Sequence, residues 1–401
     1  MIILRNDFKT IQIALYLTDL DDHMNTAMRY LLPRLMVATS TSYPTRKQMN
    51  EKMEHLYGAY FSTRTERMGN LSVISIVLTI VDPKIVKDSK LIDEAISLFE
   101  EVLSPNRPLN SDVFMDEKRM LIEEWETLKD RKRAYARYRF SKLFFEHDSY
   151  GYPMSGTLSD IKKLTLNKLQ NYYQKAFQKQ VKHVIINGNL EEPTVQLIQK
   201  KLGSSEKFHL PYKASFEGSK SLRVEHELTD MKQAIIHMGY HFPIYRKDKL
   251  YDAALLSETI IGGYPESRLF KVIREEKGLC YDIGSAYDYH KGVLTVTSGV
   301  DLNQLDFAIT SIRELIDQVI EKGITEQELR DAKSYYIHQL KSSLDHQSVL
   351  TKRAFIRDIF DIKETIEEKI HAIESVREED VWQALKMLSL VTIYVLKGET
   401  K

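Results

Sequence analysis

The chain carries a second copy of itself. Laid over itself at an offset of 221 residues (264 − 43), Tyr43-Pro44 meets Tyr264-Pro265, Tyr30 meets Tyr251 and Tyr60 meets Tyr281. Each copy reads as an apolar helix, a turn at the Tyr-Pro pair, a second helix and then strands. Downstream, the apolar, β-branched run at 73–82 parallels 293–301, and a long helix follows each, over 85–103 and 304–321. Later still, residues 161–169 lead into a helix and the strand at 183–188. Their counterpart at 373–381 leads to a strand at 392–398. In both copies Thr, Ser or acidic residues sit where an N-cap would start a helix. The repeat is far longer than a solenoid unit, so it is a duplicated domain. Helices and strands mix without a regular β-α-β rhythm, which favours α+β over a doubly wound sheet. The expected architecture is two similar domains, each an antiparallel-rich sheet with helices packed on one side. Residues 1–205 form the first and 222–401 the second, with a polar, Gly/Ser-rich linker at 206–221.

Bulk properties narrow the function classes. Lys+Arg and Asp+Glu balance at 57 each, so no global field recruits nucleic acid or an anionic membrane. One cysteine, Cys280, rules out an intrachain disulfide framework and a thiolate metal cluster, and suits a reducing cytoplasm. The N-terminal apolar run is too short for a signal peptide and no other reaches spanning length.

The helix around Tyr30-Leu-Leu-Pro-Arg34 has the setting of a helical zinc site, apolar on one face and followed by a Thr/Ser turn. Such a site needs two His at i and i+4 with a Glu between them as base. Here Tyr30 is a poor ligand unless deprotonated. Pro33 supplies no base. Arg34 would repel a divalent ion. Read alone, the segment is a packing helix that ends in Pro-Arg. His237 and His241 lie four apart on an expected strand, a packing or hydrogen-bonding pattern. The charged stretches at 146–148 and 225–227 read as solvated. Glu123 and Glu124 are adjacent on a helix and do not face one another. The basic, Tyr-interleaved run at 129–139 raises RNA, but reads better as a solvated helix face or a subunit contact.

With these residues laid out, the chain resembles the pitrilysin (insulinase, mitochondrial processing peptidase) metallopeptidase family along nearly its whole length. It is most similar to compact bacterial members that work in pairs. The likeness rests on 150–165, which includes Tyr150-Gly-Tyr-Pro and Gly156-Thr157. It rests also on 260–270 with Gly262-Gly263-Tyr264-Pro265, on 273–281 and on 323–333. The resemblance implies a clamshell-like chamber whose active members bind zinc through a His-x-x-Glu-His helix and a distal Glu. Tyr30, Pro33 and Arg34 occupy the motif positions and Glu124 matches the distal Glu, so no zinc is expected in this chain. The resemblance carries the family's Arg/Tyr pair onto Arg274 and Tyr281. In two-subunit members one subunit brings zinc and the other brings this pair. That implies a zinc-binding homologous partner, or a second copy of the chain, and places it near the zinc-lacking subunits linked to elongation-factor-modification gene clusters.

The local sequence suits that assignment. Pro265 fits the first turn of a helix, Gly278 its C-cap and Arg274 its last turn, with Tyr281 just beyond at the start of a strand. A guanidinium and a phenol can both donate to a peptide carbonyl as it becomes an oxyanion. Without the resemblance, Arg274 is equally a helix-end charge and Tyr281 a half-buried strand aromatic. Cys280 has no activating neighbour in the sequence and reads as a buried strand residue. Two functions follow: a zinc-free subunit completing a partner's site around peptide substrates, or a scaffold of the same fold without chemistry.

Overall fold

The structure is a computed structural model that describes residues 1–175, 179–203, 210–218 and 221–399. Of the expected linker, 206–209 and 219–220 lie outside the described residues. The described strands form two sheets of five. The first uses β1 (Ile2–Arg5), β2 (Thr10–Leu20), β3 (Tyr60–Met68), β4 (Leu71–Val81) and β5 (Val181–Gly188) in the order β1-β5-β2-β4-β3. The second uses β6 (Arg223–Leu228), β7 (Gln233–His241), β8 (Cys280–Asp288), β9 (Val293–Asp301) and β10 (Ser389–Lys397) in the order β6-β10-β7-β9-β8. In each sheet the first edge strand runs parallel to its neighbour and every other pair is antiparallel. The topologies are identical, so the duplication read from three tyrosine pairings holds through the fold, and the class is α+β.

Alternation sorts each strand onto two faces. In the first sheet Ile11, Ile13, Leu15 and Leu17 of β2 join Ile74, Ile76 and Leu78 of β4 beneath a helical layer that includes Thr26–Ala38 and Leu91–Leu103. In the second, Ile236, Met238, Leu294 and Val296 face helices Tyr251–Glu258, Leu305–Lys322 and Glu378–Leu385. Helices on one side were the expectation, but the opposite faces are also apolar and each takes one helix. Ala14, Tyr16, Val73 and Ile185 of the first sheet are covered by Gln347–Ile359. Ile235, Val293, Val391 and Leu396 of the second are covered by Lys132–Phe144. The compact units therefore interleave in sequence. One comprises Met1–Glu126, Pro153–Tyr212 and Ser343–Lys363; the other comprises Thr127–Tyr152, Lys213–Ser342 and Glu364–Lys401. The strands divide at the expected linker, while each unit takes one helical segment from the far side of it.

Two local expectations change. The helix expected over 85–103 is two, Pro83–Val86 and Leu91–Leu103, because Lys87 adopts a left-handed φ of 56° between them. The helix bearing Tyr30 does not end at Pro33-Arg34 but runs on to Ala38 with Pro33 inside it. Proline leaves the carbonyl four residues earlier without its helical donor. That carbonyl belongs to Arg29, and the Thr65 hydroxyl of β3 donates to it at 3.3 Å. A side chain from the sheet thus replaces the bond the helix lacks.

Candidate functional site

The first unit brings Tyr30, Arg34 and the acidic face of helix Ser111–Glu126 together. One turn apart on their helix, Arg34 donates to the Tyr30 hydroxyl at 2.6 Å and its guanidinium lies 4.3 Å from the centre of the Tyr30 ring. Arg34 also approaches Glu117 at 3.6 Å, and Glu117 accepts from Arg46 at 2.8 Å. Glu117 is buried, so it requires this positive charge. Burial pushes the Tyr30 hydroxyl above its usual range, with Glu124 and Glu117 pushing the same way against Arg34. Tyr30 is therefore a neutral phenol. These residues do not fit zinc, because a fixed guanidinium supplies the cation and the phenol keeps its proton. Among the described residues, no group of three or more His, Cys, Asp or Glu is arranged to hold a metal ion.

Glu124 is exposed and its charge reaches Tyr30, but Glu117, two helical turns earlier, is the carboxylate tied to Arg34. In the sequence Glu117 stands out only as one charge of an acidic helical stretch. The clue was available: positions 117, 121 and 124 share one helical face, and Leu121 is core.

The second unit holds Arg274 and Tyr281. Arg274 lies on a π-helix, Leu269–Glu276, which starts four residues after Pro265, so the proline belongs to the preceding turn. The wide helix closes with Lys277 N–H donating to the Val272 carbonyl at 3.0 Å and Leu279 N–H to that of Ile273 at 3.0 Å. Gly278 turns the chain with φ +62°, a conformation that glycine adopts without steric cost. Arg274 is exposed and stacks over Phe270 with its guanidinium 4.4 Å from the ring centre. Tyr281 is 64% exposed, not half-buried. Its position explains why: Cys280 pairs with Val300 and Asp282 with Gly299, leaving Tyr281 as the extra residue of a β-bulge. Cys280 points inward, and burial raises its thiol pKa, which agrees with an inert core cysteine.

Behind β8 lies an acid that sequence reasoning missed. Glu258, at the end of helix Tyr251–Glu258, accepts from the Ser285 hydroxyl at 3.0 Å, and burial pushes its carboxyl up to about 7. Between the unfolded carboxylate value of about 4.3 and about 7, the folded chain holds a proton that the unfolded chain releases. Stability therefore falls as pH rises through that window. Glu258→Gln keeps the acceptor for Ser285 and should remove that dependence. We expect about 3 kcal/mol of added stability at pH 8 and little change at pH 4.5, read from urea denaturation at the two pH values. Equal effects at both would show that Glu258 does not titrate there.

The remaining candidates are structural. His237 is buried against Phe140, with ring centres 5.1 Å apart, and burial together with Arg137 holds its pKa down at about 4. His241 stacks on Phe216. The basic, tyrosine-rich run forms much of helix Lys132–Phe144, and its partners are the acidic pair of β6. Arg139 bridges Glu225 and Glu227 at 2.8 Å each, and Tyr135 donates to Glu227 at 2.5 Å. Those carboxylates are therefore paired within the chain, as is Asp148, which meets Lys291 in a buried ion pair at 2.6 Å. No helix of the described residues is long and apolar enough to cross a membrane.

Residues 163–336 match the family model described as Peptidase M16 inactive domain. "Probable inactive metalloprotease YmfF" of Bacillus subtilis (strain 168) is 26% identical over 379 residues, spanning 92% of this chain and 88% of its own length. "Non-peptidase homolog YmxG" of Helicobacter pylori is 27% identical over 256 residues, 61% of this chain and 57% of that one. Among solved structures, a conserved protein from Enterococcus faecalis V583 superposes with a TM-score of 0.90 at 24% identity, covering 100% of this chain and 96% of that one. A protease from Helicobacter pylori does so at 0.82 and 15% identity, covering 98% and 96%. The structural likenesses concern the fold; over residues 163–336 the chain is similar to the inactive domain of the peptidase M16 family, and along most of its length to a relative named as an inactive metalloprotease.

Proposed function

We propose that this chain is the zinc-free subunit of a two-subunit peptidase, contributing Arg274 and Tyr281 to a site whose zinc and general base come from a homologous partner. The observation that carries the reading is an asymmetry between the duplicated halves. Where the first carries the Tyr30, Arg34 and Glu117 cluster, a permanent cation supplies the positive charge. In the second, Tyr281 stands on a β-bulge seven residues after an exposed arginine, whereas its counterpart Tyr60, also exposed, pairs in register with Thr79 and Met53 takes the place of the arginine. A guanidinium and a phenol are hydrogen-bond donors suited to an oxyanion, and they lack a nucleophile or metal of their own. In this reading residues 1–205 and 222–401 are the two duplicated peptidase-like halves. Extended peptide adds along a sheet edge, and β8, with Tyr281 near its start, is such an edge. A cytoplasmic setting suits the single, buried cysteine.

The second reading, a scaffold without chemistry, is favoured by the names of the B. subtilis and H. pylori relatives. Co-expression with a His-x-x-Glu-His homologue from the same genome separates the two. The peptidase reading expects a copurifying pair that cleaves unfolded peptide when neither chain does so alone. A pair that forms and shows no dependence on this chain for cleavage supports the scaffold.

A further inference from the structure

We infer that Arg133 and Asp282 form a clasp that fixes the bulge and thereby sets how Tyr281 is presented. This deepens the proposed peptidase reading and rests on it for its functional consequence. Asp282 follows Tyr281 directly and is the first residue after the bulge to regain register, opposite Gly299. Its carboxylate takes both arms of the Arg133 guanidinium, at 2.6 and 2.8 Å. Paired N–H donors to one carboxylate fix direction as well as distance. Arg133 comes from helix Lys132–Phe144, which lies across that face of the sheet. The bond therefore ties the edge strand to a packed helix and not to another loop.

The surroundings are shaped for this contact. A Cβ on Gly299 would fall 2.8 Å from the Asp282 carboxylate and 3.6 Å from the Arg133 guanidinium. A bare glycine is what lets the carboxylate lie over β9 to reach the helix. On the backbone side the Ser298 hydroxyl donates to the Asp282 carbonyl at 3.0 Å. Before the bulge, Cys280 is buried and Leu279 N–H is held by the Ile273 carbonyl. The chain is thus pinned on both sides of Tyr281, and only Tyr281 projects. Arg133 and Asp282 are positioning residues; neither needs to touch substrate.

The test uses Arg133→Asp, Asp282→Arg and the two combined in the full chain. Each single change should speed hydrogen exchange of the 280–283 amides about fivefold, leaving exchange elsewhere and the thermal midpoint near wild type. The combined swap should restore slow exchange. Unchanged exchange at 280–283, a swap that fails to restore it, or faster exchange throughout the chain would each overturn the clasp. In the copurified pair, Arg133→Asp should lower kcat with KM little changed, and it should add nothing to Tyr281→Phe. An additive effect would mean that Arg133 acts independently of Tyr281. If Tyr281→Phe itself leaves cleavage unchanged, the peptidase reading fails, while the exchange data still decide the clasp.

Discussion

Phe355→Ala should destabilise the first unit by about 3–5 kcal/mol, the range for removing a fully buried aromatic. Phe355 has no exposed surface and stacks on Tyr16 with ring centres 4.1 Å apart and planes 5° from parallel. It also meets the His183 ring edge-on at 5.4 Å. The surrounding contacts are polar and specific. Asp358 lies 2.7 Å from His183 Nδ1. Gln347 donates to the carbonyls of Thr10 and Asn187 at 2.8 and 2.9 Å, and the Thr351 hydroxyl donates to Gln12 at 2.8 Å. Polar contacts of this kind orient a helix, whereas burial of the ring supplies most of the free energy. Urea denaturation measures the loss, and proteolysis should nick residues 343–363 before the rest of the chain. A loss under about 1 kcal/mol would mean that the helix is held chiefly by its polar contacts.

Tyr281→Phe in the copurified pair should reduce kcat about 10²–10³-fold with KM nearly unchanged, the loss expected when one donor to a developing oxyanion is removed. The substitution removes one oxygen from an exposed ring, so folding should be untouched. Steady-state kinetics on a fluorogenic peptide measure it. A rise in KM at constant kcat would make Tyr281 a binding residue only. Unchanged kinetics would remove it from the site.

Much of this was legible in the sequence for a physical reason: duplicated halves preserve local patterns. Tyr30 and Tyr251 both lie on helices over a sheet, and Tyr60 and Tyr281 both open an edge strand. The parallel between 161–169 and 373–381 also holds, since each spans the break between two helices that precede the last strand of a sheet. What escaped depends on partners distant in sequence. Pro33 reads as a helix end unless one knows that Thr65 will satisfy Arg29. The 129–139 run looks solvated until β6, some 90 residues on, supplies Glu225 and Glu227. Glu117 and Glu124 share a face, and only packing decides which one meets Arg34. The bulge at Tyr281 leaves no mark in the residue pattern, because one extra residue in an edge strand alters register and not composition.

The helix spanning Gln347–Ile359 has a consequence for how the protein is made. All five strands of the first sheet have been translated by Gly188, yet the helix that covers its second face begins at Gln347, roughly 160 residues later. At about 5–20 residues per second, the nascent chain spends on the order of ten seconds with Ala14, Tyr16, Val73 and Ile185 bare at the ribosome. Over that interval the first half is a sheet with one dry face and one sticky face. Its final closure waits on a helix made roughly 160 residues after the last strand of the sheet.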